Sequence, residues 1–584
     1  MNRASLVRRF APLIAVVVIQ LLIIAIAPSR APEQVAAEGG GTGFIDPVTG
    51  ETGPAAEGAV AATGTDGSGA TATVGATGGG TRATGGGAAG GAGGAVAAGD
   101  TSHCKGDRQF DPGIYPWAPP CQGKFTGNNG GDTYAGITKG VIKVVVMRGN
   151  YGAAVDAALT AAGSNPAPAD FDAALRTAEK WINTNYELYG RKVVLKQRKF
   201  RCGTGGEGAP DDQCLRNEAR QIISEEKPFA VIWHNSVSSA TYDEFSNLKV
   251  LNIGGYGFRD GFNAANAPFH WDVQMGGTQL ANNVASWWCG RMQGQKAAFA
   301  GSRNPPTNDI RQRTRVLGVV STDDPENKST VDELAGALQR TCGATVAHRY
   351  FYSQNVQTAP TQRRAAIAAM REGPEATSVM CFCDQVAPAF LYDEMELNSY
   401  YPENIIVATG FMDTDTVAQT YDHFFNKARA EDEYPTFENA FGVGQVGQQE
   451  SANTDYGARI WKWAGNQGHP AWDAAGDYDY WNFFATLVMQ AGPNLTPANV
   501  MEGAKRSKPV VPLGGTDPRY GPRGVGANDF TWDDGLREIY FAPKRKSAFN
   551  GVSGAWGSLN GGRWFTGGKF PTGAIQLPGT APRS

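Results

Sequence analysis

Residues with binding chemistry follow several short β-branched runs of this sequence. Hydroxyl, amide and backbone N–H groups suit an anionic ligand group, whereas carboxylates suit an ammonium group. The candidate donors come first along the chain and the candidate carboxylates later: Tyr151, His234, Ser238, Ser239, Gly254 and Tyr256, then Asp384 and Asp413. We therefore predict a site for a small, polar, amino-acid-like ligand between two parts of the chain. The alternative for the serines and aspartates is a role as helix caps.

Enzyme chemistry has no motif support in this chain. The sequence contains no Gly-x-Ser-x-Gly elbow, no His-Glu-x-x-His pair, no phosphate-binding loop and no kinase signature. Residues 442–447 match Gly-x-Gly-x-x-Gly as a string, but no convincing helix and no well-placed acidic residue follow, so we interpret them as a loop. We predict no catalytic residue and no cofactor.

A metal site is not predicted either. The six histidines form no spaced ligand set. Asp473, Asp477 and Asp479 depart from the spacing of a twelve-residue calcium loop, and no terminal glutamate completes one. We interpret these three aspartates as a solvated acidic turn.

The eight cysteines favour disulfides, because an even count in an exported chain is typical of them. Two pairs bracket short loops rich in Gly, Pro and Asp, and a third pair ends two predicted helices. The predicted pairs are Cys104 with Cys121, Cys202 with Cys214, and Cys289 with Cys342. Cys381 and Cys383 alternate within a predicted strand, so their side chains point to one face.

The elements that position these residues alternate along the chain. Strands are predicted near residues 142–147, 193–196, 229–233 and 250–253, with helices between them, and a second series runs from residue 316 to 408. Such alternation implies βαβ crossovers and a mostly parallel sheet. We predict an α/β fold of two Rossmann-like lobes with parallel sheets joined by a hinge. Ligands bind at the carboxyl ends of such strands, where the residues named above lie.

The first hundred residues carry a different signal. Arg3, Arg8 and Arg9 precede an apolar run over residues 10–27, which is typical of an export segment. Residues 1–37 are therefore a signal peptide or a membrane anchor, and Pro28 favours the uncleaved anchor. Residues 38–100 are unusually rich in glycine, since 22 of the chain's 76 glycines lie between residues 39 and 99. This composition predicts a disordered tether with a reach of about 40 to 45 Å.

The order of elements resembles the type I periplasmic binding proteins, in particular the branched-chain amino-acid substrate-binding proteins of ABC transporters. The resemblance runs from about residue 140 to about residue 505, and its strongest stretches are GVIKVVVM (residues 140–147) and residues 170–196, 219–253 and 479–504. It implies two lobes with three crossings that close on a small ligand, which an ABC permease then receives.

The resemblance also implies roles for individual residues. Asp413 lies near the position of the family's acidic partner for the ligand's ammonium group, and Trp233 and His234 replace residues that are usually small. The residues at the family's contacts with the ligand's carboxylate and amino groups are Ser238, Ser239, Gly254 and Tyr256.

These observations predict an exported or cell-surface solute-binding protein. Residues 101–139 form a disulfide-bearing lead, residues 140–513 the two-lobed binding domain, and residues 514–584 a C-terminal extension that packs on it. A net charge of −4 over 584 residues gives no reason to expect a nucleic-acid partner. The alternatives are a cell-surface sensor or receptor domain with a modified cleft, and a secreted hydrolase.

Overall fold

The computed structural model describes residues 99–161, 166–233, 238–255, 257–301, 309–384, 386–408, 410, 412–426, 437, 439–468, 470 and 475–578. The predicted export segment lies outside the described residues, as does the predicted tether up to residue 98. Among the described residues, no helix combines the length and the apolar character that a membrane span requires.

The first lobe is a five-stranded parallel sheet with helices on both faces. Its strands are β1 (Val141–Arg148), β2 (Lys192–Lys199), β3 (Ala230–Trp233), β4 (Leu251–Ile253) and β5 (His270–Trp271). The connecting helices are α1 (Ala153–Ala161), α2 (Pro168–Asn185), α3 (Asp212–Glu226), α4 (Ser239–Asn247) and α5 (Asp260–Ala265). The strand order β2-β1-β3-β4-β5 is one of the two common doubly wound orders.

The continuous apolar run of β1 follows from burial on both faces of this sheet. Val144 and Val146 lie in one core together with Trp181 of α2. Val145 and Met147 lie in the opposite core, which contains Leu215 of α3. A strand covered on both faces needs apolar residues at every position, so the period-two alternation of a half-exposed strand is missing.

The second lobe repeats the same order in a larger sheet. Its parallel strands are β6 (Leu317–Thr322), β7 (Val346–Tyr352), β8 (Ser378–Phe382), β9 (Glu403–Val407) and β10 (Phe441–Gly444). Its helices are α6 (Gly277–Arg291), α7 (Pro325–Cys342), α8 (Ala359–Met370), α9 (Ala387–Leu397) and α10 (Asp415–Asn426). The order β7-β6-β8-β9-β10 matches the order of the first lobe, so the α/β prediction of two parallel sheets is confirmed.

The C-terminal extension continues the second sheet. It contributes β11 (Leu536–Lys546), β12 (Ser553–Ser558) and β13 (Trp564–Phe565). Strand β11 runs antiparallel to β10 and also pairs with β12 and β13. The parallel sheet therefore ends in an antiparallel edge that the C-terminal residues cover.

The interpretation of residues 442–447 as a loop is wrong for their first half. Gly442 and Gly444 lie in β10, which pairs in parallel with β9. A Cβ atom on Gly442 would collide with the carbonyl oxygen of Ile406. Glycine is therefore required here by the close approach of two strands, and not by a phosphate-binding turn.

Three later helices return to the first lobe. They are α11 (Tyr456–Trp463), α12 (Ala475–Ala491) and α13 (Pro497–Lys505), and α11 and α12 both contact α2. The interpretation of Asp477 and Asp479 as part of a solvated turn is wrong, because both are buried in α12. Asp473 lies outside the described residues.

The chain crosses between the lobes three times. Residues 272–276 lead from β5 to α6, residues 445–455 lead from β10 to α11, and residues 529–535 lead into β11. The first and third crossings run side by side, with Asp272 N donating to Phe530 O at 3.0 Å and Asp533 N donating to Val273 O at 2.9 Å. Gln445 of the second crossing accepts a hydrogen bond from Met275 N at 2.9 Å. Three adjacent connections of this kind form a hinge.

Four disulfides account for all eight cysteines. The three pairs predicted from spacing are present, namely Cys104–Cys121, Cys202–Cys214 and Cys289–Cys342. The fourth bond joins Cys381 and Cys383, which the sequence analysis placed on one face without pairing them. Each bond lies within the lead or within one lobe, so none of them links the two lobes.

Candidate functional site

The carboxyl ends of the two sheets face each other across a cleft whose described walls enclose several cavities. The central cavity, of about 270 Å³, lies beside the hinge and is lined from both lobes, for example by Trp233, Gly254, Gly410 and Gln445. The outer cavity, of about 100 Å³, lies at the opposite end of the cleft. This arrangement follows from the fold, because two doubly wound sheets that face each other bring the ends of their strands together.

The rim of the cleft opposite the hinge is closed by direct contacts between the lobes. Gly206, which follows β2, donates through its N–H to Gln354 O at 3.0 Å and accepts from Val356 N at 2.8 Å. A second contact between the lobes lies beside the first crossing, where Arg259 of the first lobe binds Glu326 of α7 through two hydrogen bonds of 3.0 and 3.1 Å and the neighbouring Phe258 O accepts from Gly277 N at 2.9 Å. The described structure is therefore a closed arrangement of the lobes.

The predicted anion site at the start of α4 is occupied by a carboxylate of the chain itself. Ser239 N donates to Asp324 Oδ2 at 3.0 Å across the cleft. The same carboxylate caps α7 by accepting from Glu326 N at 2.9 Å. The positive end of α4 thus attracts an anionic group, as expected for a helix N-terminus, but the group comes from the opposite lobe.

The other predicted ligand residues divide between the two cavities. Tyr151 and Asp384 line the outer cavity, whereas Gly254 lines the central one. Ser238 and Ser239 lie at the start of α4 and line neither cavity. His234 and Tyr256 lie outside the described residues.

Asp384 and Asp413 both have structural partners. Asp384 Oδ1 caps α9 by accepting from Val386 N at 2.6 Å and Ala387 N at 2.9 Å. Asp413 is buried behind the wall of the central cavity, and its Oδ2 accepts from Val446 N at 2.9 Å. Burial raises the pKa of Asp413 above its ordinary value.

A buried ion-pair network, which the sequence analysis missed, forms one wall of the central cavity. Arg523 pairs with Asp479 at 2.8 Å and with Asp533 at 2.7 Å. Asp479 also accepts hydrogen bonds from the hydroxyls of Tyr115 at 3.0 Å and Tyr456 at 2.8 Å. The network joins the N-terminal lead, α11, α12 and the third crossing, so it fixes the wall at the point where these segments meet.

The aromatic part of the same wall was also missed. The guanidinium carbon of Arg523 lies 3.6 Å from the centroid of the Trp117 ring, and Trp117 Nε1 donates to Gly521 O at 2.7 Å. Further rings line the cavity, contributed by Trp233, Tyr456, Tyr480, Tyr520, Phe549 and Trp564. The contacts of Trp117 with Gly521 and Arg523 span more than 400 positions in sequence, and no local pattern signals such pairs.

Asp272 and Trp233 each have a buried polar atom without a hydrogen-bond partner among the described residues, and each lies against a glycine of the cavity wall. Asp272 is 2% exposed, and its Oδ2 has no hydrogen-bond partner among the described residues. The indole N–H of Trp233 is likewise buried without an acceptor. A Cβ on Gly255 would lie 2.5 Å from Asp272 Oδ2, and a Cβ on Gly254 would lie 2.7 Å from Trp233 Cδ1. Two glycines of the cavity wall therefore lie directly against these groups.

Burial also changes the ionisation of the carboxyl groups around the central cavity. The pKa of Asp272 is raised to about 7, because desolvation outweighs the nearby backbone N–H groups of Gln274, Val273 and Gly257. The pKa of Asp533 is raised to about 6 by burial, against the lowering effect of Arg523. Within the described residues, no group of three or more His, Cys, Asp and Glu side chains is arranged to hold a metal ion.

The comparisons with known proteins concern structure alone. No family model matches the sequence, and no curated protein matches it either. An ABC transporter solute-binding protein from R. palustris, solved with 4-hydroxybenzoate, is similar with a TM-score of 0.48 and 11% identity over 73% of this chain and 97% of that chain. An ABC transporter substrate-binding protein from Desulfitobacterium hafniense, in complex with Leu, has a TM-score of 0.44 and 12% identity over 72% and 100% of the two chains.

A periplasmic binding protein from Burkholderia mallei is similar to the same extent. Its TM-score is 0.47, with 11% identity over 74% of this chain and 96% of that chain. At such identities a likeness concerns the course of the backbone, and the ligands in those structures belong to those proteins.

Proposed function

We propose that this chain, which has the fold of the type I periplasmic binding proteins, is an exported solute-binding protein that closes its lobes on a small polar ligand. One observation carries the proposal: the central cavity is lined from both lobes and from all three crossings. A rotation about the crossings would open this cavity, and closure would bury its contents. Hinge closure around a ligand is an established use of this kind of two-lobed architecture.

The central cavity suits this role better than the outer one. It has the larger volume, about 270 Å³ against about 100 Å³. It also combines aromatic walls with a small number of polar groups in fixed positions, which is the usual composition of a small-molecule site. Of the two carboxylates predicted for ligand contact, Asp384 caps α9, whereas Asp413 accepts from Val446 N through Oδ2 and its buried Oδ1 has no hydrogen-bond partner among the described residues.

Export and delivery to an ABC permease complete the proposal. The N-terminal basic and apolar pattern supports export, and four disulfides are typical of a chain that folds in an oxidising compartment. The permease is the partner that the family resemblance implies, and the tether would keep the binding domain near a membrane surface.

The proposal is tested by thermal unfolding with a panel of small solutes: amino acids, amines, carboxylic acids, amides and sugars. A solute present at 100 times its dissociation constant stabilises the protein that binds it by about 2.7 kcal/mol. We expect at least one solute class to raise the melting temperature. A panel without any stabilising solute would overturn the proposal.

A matched pair of variants tests whether the solute binds in the central cavity. Gly476 lines the central cavity, and a Cβ built on it meets no atom within 4 Å, so the side chain of Gly476→Trp begins in open space beside the cavity. Gly261 in α5 also has open space and lines neither cavity, so Gly261→Trp is the control. The shift should vanish in the first variant and persist in the second. An equal shift in both variants would contradict binding in the central cavity.

Transport and sensing are separated in cells. If the protein serves a permease, loss of the gene abolishes uptake of the solute that stabilises the purified protein. Unchanged uptake, together with an altered response of the cell to that solute, would favour the alternative of a cell-surface sensor.

A further inference from the structure

We infer that the ligand of the central cavity is a small organic cation, an ammonium or amidinium compound without a carboxylate. This inference rests on the proposed function and specifies the chemical class that the same site accepts. It departs from the zwitterion that the sequence predicted.

The charges along the described wall are the first observation. Five carboxylates line the cavity, which belong to Glu450, Asp455, Asp477, Asp479 and Asp533. Two arginines line it, Arg519 and Arg523. A third arginine, Arg459, binds Glu450 from behind at 3.3 Å. A fourth arginine, Arg148, acts electrostatically on Asp477, and Asp455 caps α11 by accepting from Ala458 N at 2.6 Å. Five carboxylates thus face four guanidinium groups, and the remaining surplus of negative charge favours a positive ligand.

The arginines are already committed to carboxylates of the chain. Arg523 lies between Asp479 and Asp533, and Arg519 binds Asp517 at 2.6 Å and Glu450 at 3.1 Å. A ligand carboxylate would have to compete with these pairs, because both arginines that line the cavity are engaged within the protein.

Asp272 is the independent observation that points to a ligand. Its Oδ2 is buried and unpaired among the described residues, and it lies against Gly255 in the cavity wall. An unsatisfied buried carboxylate oxygen is costly, and a cationic N–H group is the partner that satisfies it best. Trp233, beside Gly254, offers a buried N–H that suits a neutral acceptor such as a hydroxyl on the same ligand.

The aromatic rings supply the rest of the site. A cation over an aromatic face is stabilised most strongly where water is excluded. The protein already uses this interaction in the same wall, where Arg523 lies over Trp117 at 3.6 Å and within 5.1 Å of Trp532. The rings of Tyr456, Tyr480 and Trp564 border the remaining space.

Matched trios of probes test the inference by calorimetry on the full folded domain. One trio is ethanolamine, its neutral analogue ethylene glycol and the zwitterion serine. The other is tyramine, neutral tyrosol and zwitterionic tyrosine. In at least one trio we expect the cation to bind at least tenfold more tightly than both partners.

Two substitutions test whether Asp272 causes the preference for a cation. Asp272→Asn keeps the shape and removes the charge, and should weaken binding of the cation at least tenfold. Asp260→Asn is the control, because Asp260 is a half-buried carboxyl group of the first lobe that lines neither cavity. It should leave the affinity unchanged.

The outcomes separate the two proposals. If zwitterions, anions or neutral solutes bind and the cations do not, the cation inference is overturned and the solute-binding function stands. If Asp272→Asn folds and binds the cation as wild type does, the role of Asp272 is overturned. If neither these trios nor the wider panel produces binding, both proposals fail.

Discussion

Asp272 is a buried acid at the junction of the hinge and the central cavity. It follows β5, and its Oδ1 accepts from Gln274 N at 3.2 Å in the first crossing. The charged and titratable groups that act on it include Asp533 of the third crossing and Tyr480 of α12. Its state of ionisation therefore affects both stability and the charge of the cavity.

The raised pKa of Asp272 predicts a pH dependence of folding. The folded pKa of about 7 exceeds the ordinary value of 3.8, so the folded state holds a proton that the unfolded chain has released. The resulting stabilisation is complete below pH 4 and is lost as the pH rises to about 7, at up to about 1.4 kcal/mol per pH unit for one group. Denaturant titrations at pH 4 to 8 should show a smaller decline for Asp272→Asn than for wild type.

The test is the difference in the free energy of unfolding between wild type and Asp272→Asn at each pH. This difference is needed because Asp533 and Asp260, each with a pKa raised to about 6, titrate in the same range. Parallel stability curves for wild type and Asp272→Asn would contradict the assignment of this pKa.

The sequence predicted residue types at strand ends better than it predicted their partners. Asp384 follows β8 as expected, but it caps a helix, which is the alternative that the sequence left open. Trp117 and Arg523 were not found, since they come from the lead and the C-terminal segment and meet only in the folded molecule. Local patterns identify caps and strand ends, whereas contacts between distant segments leave no local signal.

At the level of elements, β11 ties the C-terminal extension to the core of the second lobe. Glu538 on this strand is fully buried and accepts from Arg291 Nε at 2.8 Å and Trp287 Nε1 at 2.9 Å, both on α6. Asn560 is a further partner of the same carboxylate. The extension is therefore part of the lobe and not an appendage.

Removal of this carboxylate should be strongly destabilising. Glu538→Ala leaves the guanidinium of Arg291, which is 9% exposed, without its buried partner. Breaking one side of a buried ion pair costs about 3 to 5 kcal/mol. Chemical denaturation measures this loss. The control is Glu502→Ala, which removes an exposed pair with Lys505 and should leave the stability almost unchanged. Equal effects of the two substitutions would show that β11 does not anchor the lobe.

Strands with burial on both faces were the elements most readily predicted. The apolar runs of β1 and β6 signal a doubly covered parallel sheet directly. Strand β10 was missed because its glycines, which allow close contact with β9, break the apolar run. Helix α1 was also missed. Its sequence, AAVDAALTA, consists mostly of small apolar residues and shows no clear helical spacing of apolar and polar positions.

At the level of the whole molecule, two sheets with the same order of parallel strands are joined by three adjacent crossings. The disulfides all lie within the lead or within single lobes, so oxidation stiffens the lobes and leaves the hinge free. The polar contacts that resist separation of the lobes include the hydrogen bonds at Gly206, the bond from Ser239 N to Asp324 and the ion pair of Arg259 with Glu326. Such contacts hold a closed state with little free energy, which is what reversible capture requires.

The most direct measurement is the distance between the lobes in solution, by electron spin resonance on labels at Val194→Cys and Leu397→Cys. Both positions are exposed, at 44% and 60%, and every native cysteine is in a disulfide. Arg259→Ala removes the interlobe ion pair with Glu326, worth about 1 kcal/mol, and should shift the ratio of open to closed molecules about fivefold. Arg349→Ala removes a surface pair with Asp332 inside the second lobe and is the control.

Arg259→Ala is expected to add a second interlobe distance to the one seen in wild type, whereas Arg349→Ala is not. A bound solute should restore the distance of the closed form. A single distance, unchanged by Arg259→Ala and by every solute that stabilises the protein, would contradict the hinge.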